Sequence, residues 1–189
     1  MRLFFAVQLA DDAIVRVAAH VEALRAEAEA TEIVWEPPEK LHFTLKFLGD
    51  VDVDALHMEA LTRAASVAGE VAPFDLSPGA LGVFPDASSP RILWLGVDFG
   101  GEALVSLATK LEALLAREGY AREVRPYRPH LTLARAKGKA GERALSRLVA
   151  RDRPPASFGA SRIERFVLMQ SAGGVYRERL SFSLRGASS

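Results

Sequence analysis

The chain has 189 residues, 49% of them apolar and 25% charged, with 24 basic and 24 acidic side chains and no cysteine. That profile fits one domain or two small lobes of a soluble globular protein, with room for a substantial core. A net charge of zero excludes a global field drawing the protein onto nucleic acid or membrane, and the lack of cysteine excludes disulfides and thiol chemistry.

Residues 3–9 read as a buried strand, not a signal peptide, and Asp11 or Asp12 can cap the helix that follows. That helix runs to about residue 30 with Ile14, Val17, Val21 and Leu24 on one side. A short strand at 33–35 is broken by Pro37-Pro38 and followed by a strand over 41–48 that ends at Gly49-Asp50. A second helix spans 53–68, and 74–84 is strand-like with an interruption near Pro78-Gly79. After a loop at 85–90 comes a strand at 91–99. An amphipathic helix then extends to about 117, with Leu104, Leu107, Leu111, Leu114 and Leu115 on one face. A loop with Pro126 and Pro129 leads to a strand at 131–134, a short helix at 142–150 and two last strands at 162–170 and 175–184. Residues 187–189 read as a frayed tail. No apolar run is long enough to span a bilayer, and a cytoplasmic protein is expected.

Two of these strands open on the same tetrad, His42-Phe43-Thr44-Leu45 and His130-Leu131-Thr132-Leu133. With four histidines and five threonines in the chain, chance would place two such pairs about 0.4% of the time by counting template matches. Side chains alternate along a strand, so each tetrad sets an imidazole and a hydroxyl on one face and two apolar anchors on the other. The order helix, tetrad strand, helix, strands occurs twice, which is weak evidence of duplication. Two lobes related by a pseudo-twofold would bring both pairs to one cleft.

The pairs carry a definite chemistry. With ordinary pKa values near 6.5, one imidazole can be neutral while the other is charged, supplying base and acid together. In-line displacement at phosphorus suits two such groups on opposite sides, and the threonine hydroxyls can donate to the non-bridging oxygens. Seven basic side chains against two acidic ones over 117–139 point to an anionic ligand there, or to a solvated charged loop. A metal site would need a third ligand that the spacing does not offer, so no metal and no cofactor are expected. His20 and His57 fall in predicted helices and are read as structural.

The tetrads resemble the paired H-x-T-x motifs of the two-histidine phosphoesterases. More closely, the chain resembles the bacterial and archaeal RNA 2′,3′-cyclic phosphodiesterases, also called 2′-5′ RNA ligase-like proteins. The likeness extends to Arg2-Leu3-Phe4-Phe5-Ala6, Trp35-Glu36-Pro37-Pro38, residues 42–49, 91–95 and 128–135, and Phe166-Val167-Leu168-Met169. It implies one α+β domain over residues 1–189, bilobal, with two pseudo-symmetric lobes of antiparallel sheet and outer helices around a central cleft. It implies hydrolysis of RNA 2′,3′-cyclic phosphate ends to 2′-phosphates, with His42 as proton donor and His130 as proton acceptor. Thr44 and Thr132 would then bind the phosphate. Arg135 matches a basic residue common after the second motif, although strict alternation places it opposite His130, so it would need a bulge to reach the phosphate. The implied partners are RNA 3′ ends or nucleotides carrying the cyclic phosphate, with no membrane, and a monomer is expected. Two alternatives stay open: the same site acting on another cyclic phosphate or a 2′-5′ linkage, including ligation, and an RNA-end binding module without turnover.

Overall fold

The computed structural model describes residues 1–28, 32–51 and 55–187. The predicted helix limits at residues 30 and 53 and the tail residues 188 and 189 lie outside them. Strands are β1 (Arg2–Val7), β2 (Ile33–Trp35), β3 (Phe43–Asp50), β4 (Phe74–Phe84), β5 (Ile92–Phe99), β6 (Leu131–Ala136), β7 (Ser161–Ile163), β8 (Arg165–Ala172) and β9 (Val175–Ser183). Helices are α1 (Asp11–Glu27), α2 (Ala55–Thr62), α3 (Ala64–Glu70), α4 (Gly101–Arg117) and α5 (Gly138–Arg151).

All strand pairs are antiparallel, in the order β7-β4-β5-β6-β3-β1-β8-β9, with β2 added to β6. The sheet is therefore one continuous path with a seam in the middle. At the seam β3 meets β6 through a single backbone pairing, Phe43 with Leu131. On one side lie β3, β1, β8 and β9; on the other lie β6, β5, β4, β7 and β2. This is the expected α+β architecture of antiparallel sheet and outer helices, with one tetrad on each side of the seam.

The halves are woven together by the chain. The predicted strand over 162–170 divides at Glu164: β7 pairs with β4, whereas β8 pairs with β1 and β9. The cause is a phase slip. Ile163 and Phe166 are both buried but three residues apart, so no single two-residue period serves both. Helix α4 follows β5 yet packs on β3 across the seam, while α5 covers β6 and β4.

Helix α4 buries Leu104, Leu107, Leu111 and Leu115, and α1 buries Val17, Val21 and Leu24, along the faces their spacing dictates. In α1, Asp11 and Asp12 fall inside the first turn instead of at the cap; there their charges complement the helix dipole. The helix predicted for 53–68 is two helices, α2 and α3, separated at Arg63. Helix α5 begins four residues earlier than its sequence pattern implies, because Gly138-Lys139-Ala140-Gly141 supplies its first turn rather than a loop. A side chain at Gly141 would come within 2.5 Å of the Glu32 carbonyl, so glycine permits this close approach beside β2.

Candidate active site

The tetrads sit on either side of the seam and repeat one another in detail. Phe43 and Leu131 are both fully buried on the helix-covered face. Extending their antiparallel register by one residue in each direction sets Thr44 opposite His130 and His42 opposite Thr132, all four on the other face. The histidines thus lie diagonally, each across the seam from a threonine.

Both imidazoles are fixed in the same way. Nδ1 of His42 donates to the Lys40 carbonyl at 2.6 Å, and Nδ1 of His130 donates to the Arg128 carbonyl at 2.7 Å. A carbonyl can only accept, so the proton on Nδ1 leaves Nε2 as the atom free to take or give a proton. Nε2 of His42 lies 2.9 Å from Oγ1 of Thr44. Aromatic rings brace each imidazole. Phe4 stacks on His42 at 5.0 Å with Tyr176 edge-on at 5.5 Å, and Phe84 and Trp94 meet His130 edge-on at 5.0 and 6.4 Å.

Burial holds the His42 imidazole below its ordinary pKa; its bond to the Lys40 carbonyl opposes this, and the charge of His130 adds to it. Burial likewise lowers His130, opposed by the Arg128 carbonyl and assisted by the charges of Arg135 and Arg128. The two imidazoles are therefore within each other's field. Both are disposed to be neutral, and an anion held between them would raise both.

Each tetrad ends in the same irregularity. In β3, Lys46 pairs with Phe5 and Thr44 with Ala6, so Leu45 is one residue too many. In β6, Ala134 pairs with Leu93 and Thr132 with Trp94, so Leu133 is the extra residue. Leu45 and Lys46 are both buried, as are Leu133 and Ala134. After each bulge the alternation is reversed, and the next residue returns to the histidine face. That residue is Arg135 in β6 and Phe47 in β3. Arg135 makes a loose ion pair with Glu36 at 3.5 Å and is half exposed, and its charge reaches His130.

Sequence reasoning missed three features. The first is a basic residue two places before each histidine. Lys40 Nζ lies 5.6 Å over the Tyr176 ring, and the Arg128 guanidinium lies 4.9 Å over Trp94 and 5.4 Å over Phe84. The longer repeat, Lys40-Leu41-His42 and Arg128-Pro129-His130, was there to be read. The second is the ring brace around each imidazole. The third is a buried clamp: Lys46 Nζ pairs with Glu112 at 2.7 Å and donates to the Ala121 carbonyl at 2.6 Å, while Glu112 accepts from the Glu123 amide at 3.0 Å. It ties the segment that leads to His130 onto the strand that follows His42. No signal for it stands out in the sequence.

A cleft of about 670 Å³ opens beside the site, with Thr44 and His130 in its wall. Among the described residues, no three His, Cys, Asp or Glu side chains converge as a metal-binding set, and no helix is long and apolar enough to cross a membrane. His20 lies away from the cleft, 3.2 Å from Asp152 and edge-on to Phe158.

Comparison with known proteins places the family and the fold. Residues 14–174 match the family model of the 2′-5′ RNA ligase superfamily. The RNA 2′,3′-cyclic phosphodiesterase of Methanothermobacter thermautotrophicus is 32% identical over 97% of this chain and 99% of its own. That of Archaeoglobus fulgidus is 34% identical over 94% and 97%. Among solved structures, the Thermus thermophilus protein TT0787 superposes with a TM-score of 0.74 at 29% identity, covering all of both chains. Escherichia coli LigT in complex with 3′-AMP superposes with a TM-score of 0.72 at 27% identity, covering 97% of both. On its fold, its two tetrads and these matches, the chain belongs to the 2′-5′ RNA ligase superfamily of two-histidine phosphoesterases.

Proposed function

We propose that the protein is an RNA 2′,3′-cyclic phosphodiesterase that opens cyclic phosphate ends to 2′-phosphates without a metal, residues 1–189 acting as one catalytic domain. The observation that carries this reading is the pair of imidazoles, each anchored through Nδ1 and set diagonally across one seam. The activity of the relatives supports it.

In this reading Nε2 of His130 takes a proton from water as its oxygen bonds to phosphorus. The bond from phosphorus to O3′ breaks, and Nε2 of His42 gives its proton to O3′. The product carries a 2′-phosphate and a free 3′ hydroxyl, and proton exchange with solvent resets the pair. Each positioned acid or base contributes roughly 10²- to 10⁴-fold. Thr44 and Thr132 donate to the non-bridging oxygens, and Arg135, returned to this face by its bulge, balances their charge. The substrates are RNA 3′ ends or nucleotides bearing the cyclic phosphate. We take the protein to act as a monomer in the cytoplasm.

A second reading exchanges the two histidines. It is favoured by the position of the cleft, which opens beside His130, so that a nucleoside lodged there would bring its 3′ oxygen to that side.

The deciding assay incubates purified protein with RNA ending in a 2′,3′-cyclic phosphate, in excess EDTA, and identifies the product. A 2′-phosphate is expected. No turnover, a 3′-phosphate, or activity lost to EDTA and restored by a divalent ion would overturn the reading.

A further inference from the structure

The cleft is far larger than a cyclic phosphate requires. At about 670 Å³ it lies within the range of roughly 300–1,000 Å³ that holds whole organic ligands. It leads from Thr44 and His130 between the segment after Phe84 and the segment 123–128. Three guanidinium groups line it, on Arg91, Arg125 and Arg128, against one carboxylate, Glu123. Lys46 lies in its wall, but Glu112 already holds that charge. The local basic excess around the second tetrad therefore has a surface to serve, although the whole chain is neutral.

Aromatic faces accompany the cations. Phe47, 55% exposed, reaches the cleft because the bulge at Leu45 turns it outward, and Phe84 carries the Arg128 guanidinium 5.4 Å above its ring. At the other end of the site, Phe4, Ala6, Val167 and Met169 form a buried apolar cluster with Tyr176 packed against it, and Phe4 meets both His42 and Phe47. Proteins that bind single-stranded nucleic acid without reading its sequence combine these two elements: cations along the backbone and rings beneath the bases.

We propose that this groove holds the RNA strand on the 5′ side of the cyclic phosphate, so that oligonucleotides are preferred over mononucleotides. The bulge in β6 delivers a cation to the phosphate and the matching bulge in β3 delivers a ring to the strand, so the two halves are duplicated in form and divided in task. The inference rests on the phosphodiesterase reading, and a strand seated in this groove also favours the second assignment of the two histidines.

The test uses RNAs of one, two, three and four nucleotides, each ending in a 2′,3′-cyclic phosphate, with kcat/KM measured over a range of salt. From one nucleotide to three, kcat/KM should rise by about 10-fold or more, as stacking on exposed rings does elsewhere. Its salt dependence on log–log axes should steepen by about 0.7 for each phosphate engaged. Arg125→Ala should lower the ratio of trinucleotide to mononucleotide kcat/KM and remove about 0.7 of that slope. Phe47→Ala should lower the ratio and leave the slope alone. Thermal melting checks that both variants remain folded. Binding of fluorescent strands ending in a 2′-phosphate, read by anisotropy, should show the same length preference. That measurement tests the groove even if no strand is hydrolysed, so failure of the activity and failure of the groove are separate results. Equal kcat/KM or equal affinity at every length, or a length preference untouched by both substitutions, would overturn the proposal.

Discussion

Phe43 and Leu131 face each other in the one backbone pairing that joins the two halves of the sheet among the described residues, and both are fully buried. The apolar positions of the two tetrads thus set the register that puts the polar positions across from one another. A slip of one residue at this point would turn one imidazole and its threonine into the core.

Phe43→Ala should cost about 3–5 kcal/mol, the usual loss for emptying a buried phenylalanine site. Phe43→Leu should cost less than about 1.5 kcal/mol and keep the register. Urea denaturation of both variants provides the comparison. A loss under about 1 kcal/mol for the alanine variant would mean that burial at the seam does not hold the halves in register.

Thr44→Val and Thr132→Val should each lower kcat/KM by roughly 10- to 1,000-fold, as loss of one transition-state donor does. Valine keeps the branched shape and the strand preference, so melting temperatures should change little. Full activity in both variants would leave the threonines a structural role only.

The pH dependence follows from the sign of the two shifts. Both imidazoles are held below their ordinary value of 6.5 in the free protein. A profile of kcat/KM that needs one neutral and one charged imidazole should be bell-shaped, with its optimum below about pH 6.5. The profile of kcat should lie at higher pH, because a bound phosphodiester anion favours the imidazolium form. The apparent pKa values belong to the pair and not to either residue. A free-enzyme optimum above about pH 7.5 would contradict the depressed pair.

Changing the leaving group separates the two histidines. Nucleotide 3′ alkoxide leaves poorly without a proton, whereas nitrophenolate leaves readily. With His42 as acid, His42→Ala should lose at least about 100-fold on a 2′,3′-cyclic nucleotide and far less on an aryl phosphodiester. His130→Ala should be impaired on both substrates, because water still has to be deprotonated. Rescue of His130→Ala alone by the aryl substrate would show that the roles are exchanged.

The buried clamp makes a prediction about stability. Glu112→Gln leaves the Lys46 ammonium, 3% exposed, without its counter-charge and should cost about 3 kcal/mol in urea denaturation. Lys46→Met combined with Glu112→Leu should recover most of that loss, since neither charge is then left buried alone. If the double variant is no more stable than Glu112→Gln, the penalty does not come from an uncompensated charge.

What the sequence disclosed and what it withheld divide along local and non-local lines. The tetrads and the apolar face of α4 are matters of residue type and near spacing, and they were legible. The split at Glu164 was not, because it depends on which distant strands, β4 or β1, each half of the segment joins. The place of Arg135 depended on a bulge. Alternation alone sets it on the wrong face, and only the pairing of β6 with β5 reveals the extra residue at Leu133. The clamp of Lys46 on Glu112 spans elements that no pattern within β3 or α4 connects.

The weaving of the chain has a consequence for its birth on the ribosome. Strand β1 lies between β3 and β8, so the half of the sheet that carries His42 is incomplete until residues 165–172 have been made. The other half can assemble β4, β5 and β6 from residues 74–136 well before that. Of the two tetrad histidines, the first to be synthesised is thus the last to be enclosed, and for most of synthesis β1, with Phe4 on one face and Phe5 on the other, has no strand on one flank. Pairing between segments so distant in sequence is slow, and in that interval β1 is the part of the chain most exposed to association with other chains.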